Sequence, residues 1–247
     1  MNSGPMLFLG LFATMACTWT GFVLGPQLQL GGLAQTNTVV VGKDLSETYP
    51  VAQPGEAHAG AEIYRANGCA ACHTQMVRPG DSPGDVDLGS DIQRRWGKRR
   101  STAEDYLFEQ PVMLGSQRVG PDLANFGRLT DTNNNNGIYL RLYDPQLVTA
   151  HSVMPPYRFL FETRKKGLFP STNALVLPDK DAPPDGYEIV PRPEARALAA
   201  YLANLRQDAY LYDAPPPAWM LPKTNAAPTN AVATNAVPAA AKPLTPK

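Results

Sequence analysis

The chain has 247 residues, and its 22 basic and 22 acidic side chains cancel to a formal charge of +0, which gives no argument for a nucleic-acid partner. Three cysteines exclude a disulfide framework. With 25 prolines and 20 glycines, the composition leaves room for a modest core wrapped in long irregular segments.

No charged side chain precedes Lys43. Within that stretch Met6–Gly25, MLFLGLFATMACTWTGFVLG, is an almost unbroken apolar run. About twenty residues at about 1.5 Å each reach about 30 Å, the thickness of a bilayer core. Two other readings compete. A cleaved signal peptide usually opens with a basic region, which MNSGP lacks. A lipid-modified Cys17 wants a leucine-like residue where Thr14 stands. The expectation is an uncleaved anchor over residues 1–28, which no flanking Lys or Arg orients.

Residues 29–57 read as a linker with a short strand at Thr38–Val41. The main domain is expected over 58–212. Its first helix is Ala59–Asn67, with Ile63 and Tyr64 on the buried face and Gly68 ending it. Val77–Val119 is a long excursion in which IQRRWGKRRSTAEDYLFEQP predicts a helix capped near Ser101. The cluster Arg94–Arg100 suits an acidic partner, lipid headgroups or a solvated helix approach, with Trp96 anchored in core or interface. Tyr139–Val148 predicts another short helix, and Phe161–Pro193 reads as loop-rich. Glu194–Arg206 is the strongest soluble helix: Leu198, Tyr201, Leu202 and Leu205 form one stripe, and Pro193 marks its start. Residues 213–247 are a Pro/Ala-rich low-complexity tail, expected to be disordered from about Ala226.

Cys69-Ala-Ala-Cys72-His73 admits three chemistries. A redox dithiol wants a βαβ context, which the pattern lacks. A structural zinc site wants a second Cys/His pair, and the remaining histidines, His58 and His151, lie far apart in the chain. What remains is one covalently bound haem c. Two thiols add to its vinyl groups, and the adjacent histidine is delivered to the iron.

The opposite ligand is sought among the methionines. Met1, Met6 and Met15 belong to the anchor, Met76 follows His73 too closely to cross the ring, and Met220 lies near the tail. Met154, in HSVMPPYRF, is preferred because Pro155 and Pro156 stiffen its loop. Met113, His151 and an open iron stay as alternatives. His/Met ligation raises a haem's potential relative to His/His, which suits a carrier feeding a strong oxidant.

This pattern resembles class I cytochromes c. The resemblance implies that Pro121, in Gly-Pro-Asp-Leu, offers its carbonyl to the histidine's Nδ1–H, a bond that fixes the ring. It also implies that Gly60, Tyr64 and Tyr201 serve a crossing of the first and last helices.

GCAACHTQMVRP, GSQRVGPDLANFG and MPPYRFL together resemble the mono-haem cytochrome c subunit (subunit II, the O subunit) of cbb3-type cytochrome c oxidases, over roughly Gly60–Leu160. An insert at Gly80–Asp91, the Asn133–Asn136 run and the tail depart from that pattern. The fold implied is mainly α, with one transmembrane helix, a class I cytochrome c-like haem domain carrying long loop insertions, and a disordered tail. The function implied is relay. Electrons arrive from a soluble donor or a di-haem cytochrome c subunit and pass to the haem–copper catalytic subunit, where oxygen is reduced. This chain is then part of an oxidase without an oxygen site of its own, anchored in the cytoplasmic membrane with its haem domain in the periplasm. Arg78 and Arg118, which flank the haem motifs, suit pairing with propionates, with ordinary solvated arginines as the alternative. Other readings are a nitric oxide reductase cytochrome c subunit, a stand-alone anchored shuttle and a haem-based gas sensor.

Overall fold

The computed structural model describes residues 3–39, 46–79, 91–129 and 135–217. The insert over 80–90, Asn133 and Asn134, Met220 and the low-complexity tail from residue 218 on, with the disorder expected from about Ala226, lie outside these residues.

The chain is mainly helical. α1 (Gly4–Trp19) runs through one wider π turn, Thr20–Leu24, into α2 (Gly25–Leu30). The Gly25 N–H reaches the Thr20 carbonyl, five residues back. Pro26 supplies no N–H to the turn before it and its ring crowds that carbonyl row, and the wider turn absorbs the mismatch. This 27-residue helix has a mean hydropathy of 1.8 over its most apolar window and buries none of it, so it is long and apolar enough to cross a membrane.

Two short antiparallel pairs follow. β1 (Thr36–Val39) pairs with β2 (Ser46–Tyr49), with Thr36 opposite Tyr49. The strand expected at Thr38–Val41 thus begins two residues earlier, and its partner SETY was not foreseen. β3 (Phe161–Lys165) pairs with β4 (Tyr187–Pro191), with Phe161 opposite Pro191 and Arg164 opposite Glu188. The loop-rich stretch Phe161–Pro193 thus carries a strand at each end that was not foreseen. Only Phe161 of β3 is buried, so the strand shows no alternating pattern to read.

The core is the crossing of α3 (Gly55–Ala66) and α6 (Pro193–Asn204). Pro193 opens α6 with its preset φ, and Leu205 leaves helical geometry at its end. Ala195, Leu198, Ala199, Tyr201 and Leu202 face inward. At the crossing Gly60 has no room for a side chain: a Cβ there would overlap the Ala197 carbonyl and stand 2.7 Å from Tyr201 Cβ. The Tyr64 and Tyr201 rings fill the gap with centroids 5.4 Å apart. Short α4 (Phe126–Leu129) and α5 (Asn136–Tyr143) complete the cluster. The helix expected over Tyr139–Val148 ends at Tyr143, because Asp144 turns extended ahead of Pro145.

The helix expected with a cap near Ser101 is a single 3-10 turn, Ala103–Tyr106, and the residues before it form turns. Its cap is Thr102, with Asp105 returning to the Thr102 N–H at 2.7 Å. The basic cluster is not a uniform solvated run. Arg99 is fully buried and meets Asp105 through two bonds of 2.6 and 3.0 Å. Its Nε also donates to the Ala209 carbonyl, and Tyr49 donates to the same carboxylate. One buried ion pair therefore ties the β1–β2 hairpin, the Arg99–Asp105 segment and the chain after α6 together.

Candidate functional site

After α3 and its cap Asn67, Gly68 at φ 69° turns the chain sharply into the 3-10 turn Cys69–Ala71. The His73 N–H closes this turn on the Cys69 carbonyl at 3.0 Å. Both thiols and the imidazole are thus presented by five consecutive residues, with Cys69 half-buried against the core and Cys72 exposed. Burial pushes the Cys69 thiol up to about 11, the opposite of the lowered value a redox dithiol uses. Among the described residues no three His, Cys, Asp or Glu side chains are grouped to hold a bare metal ion.

A second segment, residues 114–123, lies along the first. The Gln75 N–H donates to Leu114 at 3.0 Å, the Ser116 N–H to Ala70 at 2.9 Å, the Gly120 N–H to Cys72 at 3.0 Å and the Leu123 N–H to Thr74 at 2.7 Å. This ladder brings Pro121 to His73. The Pro121 carbonyl stands 2.8 Å from Nδ1, so Nδ1 carries the proton and Nε2 is left as a lone-pair donor. The Gly120 backbone lies against the ring, and a Cβ there would come 2.7 Å from Nδ1.

Asp122 was not singled out from the sequence, although GPDL contains it. Its buried carboxylate accepts from Thr74 Oγ1 at 2.6 Å, the Met76 N–H at 2.8 Å and the Ala124 N–H at 2.9 Å. Gln75 is held from both ends. Tyr201 donates to its side-chain oxygen at 2.9 Å and Tyr106 to its carbonyl at 2.6 Å. The residues following His73 are therefore fixed to the last helix and to the capped turn.

Met154 is half-buried against the same core as Cys69. Its loop is shaped by His151 at φ 62° and by the Tyr157 N–H on the Leu142 carbonyl at 2.7 Å. The Tyr157 hydroxyl faces the Cys69 thiol, which brings the Met154 loop to the cysteine turn. Met113 instead sits buried within the core cluster.

The two arginines differ. The Arg78 residue is exposed, and its backbone N–H donates to Asp91 at 2.6 Å. The Arg118 guanidinium is engaged by Asp91 and by the Met76 carbonyl at 2.6 Å, with Asp122 at 3.8 Å. Arg118 and Arg94 lie over Trp96 at 5.6 and 5.0 Å from the ring centre. Trp96 is thereby held by cations as well as by packing.

The residue set fits a haem. Two uncommitted thiols and an oriented imidazole share one turn, the ring is backed by a glycine that leaves it room, and a thioether on a stiff loop is close by. Two clefts lie apart from this set. One of about 250 Å³ is walled by Arg164, Arg192 and Arg196, and one of about 220 Å³ by Tyr49, Gln53, Glu109 and Gln207.

A comparison with curated proteins finds no match. Residues 27–177 match the family model described as cytochrome C oxidase, mono-heme subunit/FixO. The match takes in the Cys69–His73 turn, the Gly120–Asp122 loop and Met154 and covers more than half of the sequence, so the chain belongs to the family of mono-haem subunits of cytochrome c oxidase.

Proposed function

We propose that this chain is the membrane-anchored electron carrier of a cbb3-type oxidase, with one haem c joined covalently to Cys69 and Cys72. The bound haem supplies a one-electron iron couple. His73 would hold the iron through Nε2, while Pro121 fixes that ring and raises its basicity through Nδ1–H. Met154 would supply the second protein ligand, and a thioether there would favour the reduced iron relative to a second imidazole. Arg78 would pair with a propionate. Arg118, its charge already met by Asp91 and Asp122, would brace the loop and offer its unpartnered Nε–H to the other propionate.

The supporting observation is the His73 Nδ1–Pro121 contact of 2.8 Å over the bare backbone of Gly120. It gives the imidazole one orientation and one tautomer, as a permanent iron ligand requires. The chain itself moves an electron and reduces no oxygen. It receives from a soluble donor or a di-haem cytochrome c subunit and delivers to the haem–copper catalytic subunit. Covalent haem attachment outside the cytoplasm puts residues 58–212 in the periplasm. Residues 1–28 are the anchor, 29–57 the connection and 213–247 a tail.

The test is to purify the native complex through this chain. A haem-stained band at the size of this chain on a denaturing gel, with haem b and copper in the same preparation, supports the proposal. Haem released by denaturation, or haem b with non-haem iron, overturns it. Met154→Ala should remove the weak sulfur–iron absorption band at the red edge of the oxidised spectrum, and persistence of that band would move the ligand elsewhere.

A further inference from the structure

The β3–β4 hairpin contributes nothing to the haem-binding set, yet two features of its surface lie side by side. The loop leaving β3 reads Lys165-Lys166-Gly167-Leu168-Phe169-Pro170, and it exposes Leu168 to 93% and Phe169 to 80%. Next to it is the cleft of about 250 Å³, walled by Arg164, Arg192 and Arg196 with Ser171 and Asn173, against a single carboxylate, Glu162.

Arg164 is committed to Glu188 at 2.9 Å, and that carboxylate also accepts the Ser171 N–H at 2.8 Å. Arg192 and Arg196 stand four residues apart at the start of α6 and make no ion pair among the described residues. Asp185 adjoins Gly186, whose carbonyl accepts from the Lys166 N–H at 2.8 Å, so one carboxylate lies in the chain segment beside the two loop lysines. The arginines of the cleft keep the face cationic.

Leu168 and Phe169 are adjacent and form one exposed apolar patch rimmed by cations, the arrangement that marks a contact surface. The composition beside them identifies its kind. The centre of a protein–protein interface is depleted of lysine, whereas a membrane interface takes Leu and Phe into the acyl boundary while Lys extends its ammonium to the headgroups. Planar guanidinium groups pair two-pronged with phosphate oxygens. The α1–α2 helix tethers the domain to its bilayer, so even a weak lipid contact is populated at high effective concentration.

We propose that the Arg164–Arg192–Arg196 cleft takes the phosphodiester headgroup of an anionic phospholipid, with Leu168 and Phe169 entering the acyl boundary. The domain then rests on the membrane at a second point besides its helical anchor, which limits how far it can swing. None of these residues belongs to the haem-binding set, so the proposal stands or falls separately from that assignment.

The test uses the full-length holoprotein in nanodiscs, with Cys17→Ser removing the free membrane thiol and a nitroxide attached at Leu168→Cys. Discs of phosphatidylcholine alone are compared with discs containing phosphatidylglycerol. The expected result is a label about tenfold less accessible to an aqueous nickel complex, and more accessible to membrane-dissolved oxygen, in the anionic discs. Arg192→Gln with Arg196→Gln should return it to aqueous exposure while the haem spectrum stays unchanged. Equal aqueous exposure in every disc overturns the proposal. So does a label shielded from both quenchers in the intact oxidase, which would mean a protein contact. Binding of inorganic phosphate with the label still in water overturns the lipid source.

Discussion

The backbone of Gly120 lies directly against the imidazole of His73, and the next residue, Pro121, accepts from the same ring. The ring is thus held by one short stretch of chain in two ways, by contact and by hydrogen bond. Gly120→Ala places a methyl group within 2.7 Å of Nδ1, so the ring or the loop must move. The expected outcome is a shifted haem midpoint potential and a perturbed visible spectrum with the remainder of the fold intact. Wild-type potential and spectrum in Gly120→Ala would show that the ring tolerates displacement.

Arg99 and Asp105 pair with neither side chain exposed. A buried pair broken on one side leaves an uncompensated charge and costs about 3–5 kcal/mol. Arg99→Met should therefore lower the urea midpoint markedly. Asp105→Asn should do so too, because the amide cannot satisfy the guanidinium, the Tyr49 hydroxyl and the Thr102 N–H together. The double variant Arg99→Met/Asp105→Asn should cost less than the two single changes added. Strict additivity in that cycle would show that the two residues do not act as a pair.

At the helix crossing, Gly60→Ala is the sharpest packing probe. The new methyl group meets the Ala197 carbonyl, a backbone atom that has no rotamer to yield. Overpacking of this kind costs about 1–3 kcal/mol and sometimes more. The α3–α6 contact carries Cys69 at one end, so haem incorporation during expression should fall along with thermal stability. A variant as stable as wild type would mean that the two helices slide apart without loss.

What could be read from the sequence was what is local. α6 announces itself by Pro193 and the Leu198–Leu202 stripe, α3 by its closing Gly68, and the Cys69–His73 turn by its own spelling. What was missed depends on partners far along the chain. β3 pairs with a strand more than twenty residues on and buries only Phe161. Arg99 looks like one of five solvated cations until Asp105, Tyr49 and the Ala209 carbonyl are placed around it. Asp122 lay in plain sight in GPDL, but its task appears only when residues 114–123 fold back along residues 70–76. Helix boundaries moved for similar reasons. α3 starts at Gly55, with Glu56 in its first turn, where the sequence offered no Ser or Asp as a cap.

Glu109 gives the pH prediction. It lines the cleft of about 220 Å³, where its Oε2 is buried without a hydrogen-bond partner. Burial pushes its carboxyl up to about 7, helped by repulsion from Asp105 and opposed by a backbone hydrogen bond at Met113. A carboxyl raised in the folded state holds its proton there while the unfolded chain has already released it. No penalty exists below pH 4.5, where both states are protonated. Stability then falls as pH rises from about 4.5 to about 7, and the full penalty persists above. The ceiling is about 3 kcal/mol for a shift of this size. Glu109→Gln keeps the shape and removes the ionisation. Urea unfolding of the detergent-solubilised protein should give matching midpoints for wild type and variant near pH 4.5. At pH 8 the variant should be more stable. Parallel pH profiles for the two proteins would show that the Glu109 carboxylate is already compensated in the folded state.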